Sequence, residues 1–108
     1  MTVIADKFQT LTGREKQLIL IDYGTRSNHA YVKYLEGKYA PDRSSEIGTR
    51  RAVESLKKAV ELDPNYALAH VALADAYNLL GTWFNKDSDF YQPLAKKTVE
   101  RAIAIDAQ

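Results

Sequence analysis

The chain contains two histidines, His29 and His70, which are its only candidates for an imidazole metal ligand or general base. They fall in different predicted helices, and a metal site would need both of them together with a carboxylate. The stretch 85–90, NKDSDF, has acidic residues spaced partly as in a calcium-binding loop. The EF-hand pattern requires Gly at the sixth position and Glu at the twelfth, where this chain has Phe90 and Lys96. We therefore predict packing or surface histidines, a solvated loop and no bound metal.

The other residue types that support catalysis show no catalytic pattern. No serine lies in a nucleophile elbow, and the segments LTGRE and IGTRR lack the Gly-Lys pair of a phosphate-binding loop. The chain has no cysteine, which excludes disulfides, thiolate nucleophiles and cysteine-based zinc sites. No pair of carboxylates stands out as an acid–base couple. We expect a protein that is not an enzyme and that needs no cofactor.

Composition and charge are those of an ordinary soluble domain. The 108 residues are enough for one domain with a core, and they are 45% apolar and 27% charged. Fifteen basic and 14 acidic residues give a net charge of +1, which makes no electrostatic case for nucleic acid or an anionic membrane. The longest aliphatic run, LILI, is too short to span a bilayer, and the N-terminus lacks signal-peptide features. A cytoplasmic location is expected.

Three stretches carry apolar residues at helical spacing, and these stripes define the predicted helices. They comprise Ala52, Leu56, Ala59 and Val60; then Ala69, Ala72, Leu73, Ala76, Tyr77 and Leu80; then Leu94, Ala95, Val99, Ala102 and Ile103. Pro64 biases Asp63 away from the α conformation, so the first of these helices is expected to end there. Gly81 is the predicted C-cap of the second.

The resulting map contains a leading helix and two helix pairs. The leading helix is placed at 14–23, although its QLILID core is also compatible with a strand. The four paired helices are placed at 28–40, 45–62, 66–80 and 90–106. Asp89 and Gln92 provide a predicted N-terminal cap for the last helix, with Pro93 in its first turn.

The last helix repeats an earlier one at a fixed distance. A shift of 43 residues aligns Ala52 with Ala95, Leu56 with Val99, Ala59 with Ala102, Val60 with Ile103, Leu62 with Ile105 and Asp63 with Asp106. Small residues recur where two helices must approach closely, and larger apolar residues recur where a gap must be filled. Self-similarity of this kind is typical of helical repeat proteins.

The pattern resembles the tetratricopeptide (TPR) repeat, whose signature is Trp-x2-Leu-Gly-x2-Tyr, then Ala-x3-Phe, then Pro, over about 34 residues. The two units of this chain read Val32-x2-Leu35-Glu36-x2-Tyr39, Ala52-x3-Leu56, Pro64 and His70-x2-Leu73-Ala74-x2-Tyr77, Ala95-x3-Val99, Ala107. The loops within the pairs are longer than in the family. The match makes Tyr39 and Tyr77 the expected packing tyrosines of the two units.

The resemblance implies an all-α fold of TPR-like antiparallel helix pairs, an α–α superhelix with about two repeats and a leading N-terminal helix. Residues 1–27 form the predicted N-terminal segment with its capping helix, and the repeats are placed at 28–64 and 65–108. The chain is also similar to TPR segments of bacterial adenylate-cyclase-like, kinase-like and winged-helix regulators. This narrower similarity implies an accessory module of a signalling or regulatory system.

The resemblance also indicates where a partner binds. Stacked pairs form a superhelix whose first helices line a concave groove. The groove-facing positions are predicted to be Lys33, Leu68, Val71, Asp75, Asn78 and Leu79. Some TPR domains clamp a terminal carboxylate with Lys, Arg and Asn side chains, whereas this surface has Asp75 and aliphatic residues. The expected ligand is therefore a helix or extended peptide of a protein partner, with no nucleic acid or membrane partner.

Two further surfaces stay open to more than one interpretation. The aromatic residues of the 82–91 insertion either fold back over the second pair or form an interaction surface. The apolar inner face of the last helix has nothing after it to cover it, so the leading segment covers it, further repeats follow, or two chains cap each other or exchange elements. For the last outcome, a homo-oligomer, the predicted contact residues are Trp83, Phe84, Val99 and Ile103.

Two alternative functions also remain. One is a small sensor of a regulatory ligand or nucleotide. The other is a weak nucleic-acid binder that uses the basic helix face of Arg50, Arg51, Lys57 and Lys58.

Overall fold

The structure is a computed structural model, and it describes residues 14, 23–84 and 86–106. Its helices are α1 (Asn28–Lys38), α2 (Glu46–Leu62), α3 (Ala67–Asn78) and α4 (Ser88–Asp106), and a π-helical turn, Leu79–Trp83, directly continues α3. No strand occurs within the described ranges. The predicted all-α fold of TPR-like antiparallel helix pairs is confirmed. The leading helix predicted at 14–23 lies outside the described residues except at its two ends.

Local signals set the limits of the first pair. Ser27 and Ser45 precede α1 and α2, and each side-chain oxygen accepts from a backbone N–H three residues later, at 3.1 and 2.9 Å. This is the usual N-cap arrangement. Helix α2 ends at Leu62, and its C-cap Asp63 is extended, with a φ of −143° and a ψ of 93°. The effect predicted for Pro64 on the preceding residue is therefore observed.

Helix α3 is the centre of the core. It packs against α2 on one side and α4 on the other. Four of its alanines are buried, Ala69, Ala72, Ala74 and Ala76, and they let the neighbouring helices approach closely. The larger buried side chains around them are Tyr34, Leu56, Tyr66, Leu73, Tyr77 and Leu80.

The prediction that Tyr39 is the packing tyrosine of the first pair is wrong. Tyr39 is 67% exposed because α1 ends at Lys38 and Tyr39 falls on the C-cap. Tyr34 is buried instead. The buried residues of α1, Ala30, Tyr34 and Gly37, have the same spacing as Ala69, Leu73 and Ala76 of α3. The two helices thus correspond at an offset of 39 residues, one more than the motif alignment implied.

Gly81 is not the C-cap of α3. It lies inside the π-helical turn and is buried, and Gly24 is the one glycine with positive φ among the described residues. A Cβ on Gly81 would lie 3.0 Å from Cβ of Tyr91. The glycine therefore serves the close approach of α4 and not the end of a helix.

Helix α4 begins at Ser88, two residues before its predicted start. The carbonyl oxygen of Asp87 accepts from the N–H groups of Phe90 and Tyr91, at 2.9 and 3.0 Å, and so opens the helix. The predicted cap by Gln92 is wrong, because its side-chain amide donates to the Thr82 hydroxyl. Pro93 consequently lies in the second turn and not in the first.

The segment before α1 is fixed to the corner between α2 and α3. Thr25 is fully buried and donates a hydrogen bond to the carboxylate of Asp63. The buried hydroxyl of Tyr66 donates to the carbonyl oxygen of Tyr23, at 3.1 Å. Gly24, with a φ of 77°, makes the turn between these two contacts. This end of the core is covered by the chain itself.

Candidate functional site

An exposed stripe runs along α3 and into the π-helical turn. Leu68, Val71, Asp75 and Leu79 lie at i, i+3, i+7 and i+11, on one side of a helix that buries most of its other residues. Leu68 and Val71 are each nearly half exposed. The stripe forms one wall of a cleft of about 80 Å³, here called the groove, and Tyr34 and Lys38 of α1 form part of the opposite wall.

A second cleft continues the groove past the end of α3. It has a volume of about 340 Å³ and is lined by Arg43, Ser44, Leu79, Trp83 and Phe84. We call it the tryptophan cleft, because Trp83 is 76% exposed at its rim. Arg43 lines both clefts. The groove and the tryptophan cleft therefore adjoin at this side chain.

Arg43 is held by the loop between α1 and α2. The buried hydroxyl of Thr49 lies 2.7 Å from the carbonyl oxygen of Arg43, to which it can donate. Arg51 forms an ion pair with Asp42 at 2.9 Å. Gly48 lets the loop lie directly on α2, since a Cβ there would be 1.7 Å from the carbonyl oxygen of Asp42. These contacts give Arg43 a defined position without a helix around it.

Positive charge exceeds negative charge in this region. Lys38 and Arg43 line the groove together with a single acid, Asp75. Within the described residues, neither cation has a carboxylate partner. Lys38 donates to the hydroxyl of Tyr34 at 2.9 Å, and this hydrogen bond raises the pKa of Lys38. Arg43 donates to the carbonyl oxygen of Lys38 at 3.1 Å.

One donor of Arg43 has no acceptor. Its Nε is buried and lacks a hydrogen-bond partner among the described residues. Leaving a buried donor unsatisfied costs about 1–3 kcal/mol.

The predicted groove residues divide among several places. Leu68, Val71 and Asp75 line the groove, and Leu79 lines the tryptophan cleft. Lys33 lines neither cleft, and its Nζ lies 3.1 Å from the carboxylate of Glu36.

Asn78 lies on another surface, a cleft of about 290 Å³ between α3 and α4 that also includes Asp75, Lys96 and Val99. Ile103 follows Val99 by one turn of α4, and both side chains are exposed. We call this surface the end face. It carries two of the four residues predicted for self-association, whereas Trp83 and Phe84 line the tryptophan cleft.

Sequence reasoning did not identify Lys38 and Arg43 as groove residues. The motif alignment directed attention to the wrong face of α1. Arg43 stands in a loop, where no periodicity predicts orientation. The loop sequence APDRSSE has one arginine beside two acidic residues, and this composition does not indicate where Arg43 lies.

Some aromatic residues of the 82–91 insertion pack on the core, and others remain exposed. Phe84 and Tyr91 fold back onto the core, and the rings of Tyr91 and Tyr77 stack with centroids 6.1 Å apart. Trp83 and Phe90 stay largely exposed. Asn85, the first residue of the suspected calcium loop, lies outside the described residues.

The histidines are not brought together with acids. Nε2 of His70 lies 2.9 Å from the carbonyl oxygen of Pro64 and donates to it, while His29 is exposed on α1. The described part of the chain contains no cluster of three or more His, Cys, Asp or Glu side chains that could hold a metal ion.

Comparison with protein families gave one match. Residues 50–81 match the model of the TPR repeat family, and these residues cover most of α2, all of α3 and the start of the π-helical turn. No match was found among curated proteins or among solved structures. The family match supports a TPR protein and, in general terms, a protein–protein interaction module. TPR repeats are typically non-catalytic.

Among the described helices, none has the length and apolar character needed to cross a membrane.

Proposed function

We propose that this chain is a non-catalytic TPR-type module that binds an extended or helical segment of a partner protein along the groove and the tryptophan cleft. The observation that carries the proposal is the stripe of α3 and the π-helical turn, where Leu68 and Val71 are exposed and Leu79 is half-buried beside two clefts. Exposed apolar residues that adjoin one another on a helix are typical of interaction surfaces. A tryptophan at the rim suits such a surface, because tryptophan is enriched among residues that dominate binding energy.

The dimensions of the groove favour a polypeptide over a metabolite. The groove, at about 80 Å³, is far below the roughly 300–1,000 Å³ of ordinary small-molecule sites, and the tryptophan cleft, at about 340 Å³, lies at the lower end of that range. Two adjoining clefts of this size suit side chains inserted one at a time from a chain lying across them.

The proposal can be tested by selecting displayed random peptides on the immobilised protein and measuring their affinities for variants. Val71→Glu places a charge in the middle of the stripe and is expected to weaken the selected peptides by at least about tenfold. Leu62→Glu is the matched control, because Leu62 is an exposed apolar residue that lines neither cleft. If the selected peptides bind Val71→Glu as tightly as the unmodified protein, the groove is not the surface that binds them.

Self-association is a second proposed activity, and it is supported by the end face. Val99 and Ile103 are exposed on α4 beside a cleft that no other described element fills. Two copies that place these faces together would cover both, as expected of a two-fold symmetric dimer.

The pairing of charges favours a protein partner over nucleic acid. Three of the four cations on the basic face of α2 are paired with acids: Arg50 with Glu46, Arg51 with Asp42, and Lys58 with Glu61. Their field toward a phosphate backbone is correspondingly reduced. The role as an accessory part of a bacterial signalling system stays a proposal that rests on the sequence similarity alone.

A further inference from the structure

The residues that line the groove and the tryptophan cleft differ in polarity and charge from one part of the surface to the next. At one end, Val71 and Leu68 offer an apolar wall. At the other end, Leu79, Trp83 and Phe84 line a cleft of about 340 Å³. Between them lies Arg43, which lines both. The order along the surface is therefore apolar, charged, apolar, with Lys38 and Arg43 on one wall of the middle part and Asp75 on the other.

The separation of the two apolar points matches an extended peptide. Val71 and Leu79 are eight residues apart along a nearly continuous helix, which corresponds to about 12 Å at 1.5 Å per residue. In an extended chain, residues i and i+4 lie about 13 Å apart and point to the same side, as does residue i+2 between them. A bound strand can thus present three side chains, at alternate positions, to the two clefts and to Arg43.

We infer that the partner segment is an extended stretch with an apolar residue, an acidic residue and a second apolar residue at alternate positions, whose carboxylate pairs with Arg43 while the flanking side chains occupy the groove and the tryptophan cleft. This inference rests on the proposed function and specifies its partner. The guanidinium of Arg43 is partly exposed in both clefts, and it has no carboxylate partner among the described residues. Lys38 adds a second unpaired cation on the same wall of the groove.

Asp75 opposes this arrangement and makes it testable. It lies on the α3 wall of the groove, opposite the two cations. If a carboxylate binds at Arg43, removal of the Asp75 charge should strengthen binding. If the groove instead binds a basic side chain of the peptide through Asp75, removal of the Asp75 charge should weaken binding.

Trp83 is the only tryptophan of the chain and lies at the rim of the site, so its fluorescence reports occupancy directly. The probe is the N-acetylated, C-amidated peptide Ser-Leu-Ser-Glu-Ser-Leu-Ser, compared with peptides that carry Gln or Lys in place of Glu. The capped ends remove terminal charges, so only the internal acid is tested. The Glu peptide is expected to bind about tenfold more tightly than the Gln peptide and to exceed the Lys peptide by more.

Variants assign the preference to its residue. Arg43→Gln is expected to abolish the difference between the Glu and Gln peptides, Arg43→Lys to retain part of it, and Asp75→Asn to enlarge it. Arg101→Gln, which removes an exposed arginine that lines neither cleft, is the matched control and should leave the ratio unchanged. Circular dichroism of each variant checks that the helices are intact.

Three results would overturn the inference: equal binding of the Glu and Gln peptides, a preference that survives in Arg43→Gln, or no binding of any of the three. None of them contradicts the proposed function, which is tested separately by the affinity of the selected peptides for Val71→Glu. If the Lys peptide binds most tightly, and Asp75→Asn abolishes this preference, the groove selects a basic residue and the inference is wrong.

Discussion

At the scale of single residues, the site depends on a loop that no periodic pattern predicts. Arg43 points to the clefts because Thr49, Asp42 and Gly48 fix the loop on α2. Sequence patterns could identify Leu68, Val71 and Asp75, since a helical stripe predicts which side faces solvent. They could not identify Arg43, because the orientation of a loop residue depends on tertiary contacts.

Gly48 supplies a direct test of that loop. Gly→Ala in a helix ordinarily stabilises by about 1 kcal/mol. Gly48→Ala should instead destabilise by about 1–3 kcal/mol, because the new Cβ would meet the backbone of Asp42. Urea unfolding followed by circular dichroism measures the change. Lys57→Ala, an exposed substitution on the same helix, should stay within about 0.5 kcal/mol of the original protein. A Gly48→Ala protein as stable as this control contradicts the loop position.

Tyr66 predicts how stability depends on alkaline pH. Burial raises the pKa of its hydroxyl above the ordinary 10.0, and the nearby Tyr34, Tyr31 and Asp63 raise it further. Above about pH 10, the unfolded chain therefore releases this proton while the folded chain keeps it, so the free energy of unfolding falls as pH rises.

Tyr66→Phe should cost about 1 kcal/mol at neutral pH through loss of the hydrogen bond to Tyr23, and it should make the alkaline decline shallower. Tyr39→Phe, at an exposed position, should change neither quantity. The measurement is urea unfolding between pH 7 and about pH 11. An unaltered decline in Tyr66→Phe would show that this hydroxyl is not buried.

At the scale of elements, helices were easier to predict than their register and their ends. The stripes of α2 and α3 and the stop at Pro64 are strong signals, and the family match covers the same segment. The register of α1 differs by one residue from the motif alignment, because Tyr34 and not Leu35 takes the buried position that Leu73 has in α3. The π-helical turn escaped prediction, since Gly81 has the composition of a C-cap while its position depends on the approach of Tyr91.

Two adjacent leucines test the π-helical turn. Leu80 is 1% exposed, whereas Leu79 lies at the surface of the tryptophan cleft. Leu80→Ala should destabilise by about 2–5 kcal/mol, and Leu79→Ala by less than about 1 kcal/mol. Thermal and urea unfolding of both variants measure the difference. Equal losses would mean that the turn does not orient these side chains as described.

At the scale of the whole molecule, two helix pairs leave an apolar end. Repeats of this kind stabilise one another by stacking, and each exposes a face until a neighbour covers it. The end face, with Val99 and Ile103, has no neighbour among the described elements. The repeat pattern predicted this face, but no sequence feature identifies what covers it.

Ile103 and Ile47 form a matched pair for testing self-association. They are 63% and 64% exposed, on α4 and at the start of α2. If the end face joins two copies, Ile103→Glu should shift the chain to monomer in sedimentation velocity, because it buries a charge at the contact. Ile47→Glu should sediment like the original protein. An original protein that is monomeric at all concentrations contradicts the proposed dimer.

The central claim is that the groove formed by α1 and α3 binds a polypeptide. Its most direct test is to record amide chemical shifts of the isotope-labelled protein with and without a peptide obtained by selection. Changes are expected at Leu68, Val71, Leu79 and Trp83, with Lys57 and Leu62 unaffected. Changes confined to the exposed face of α2, with the stripe of α3 unperturbed, would contradict it.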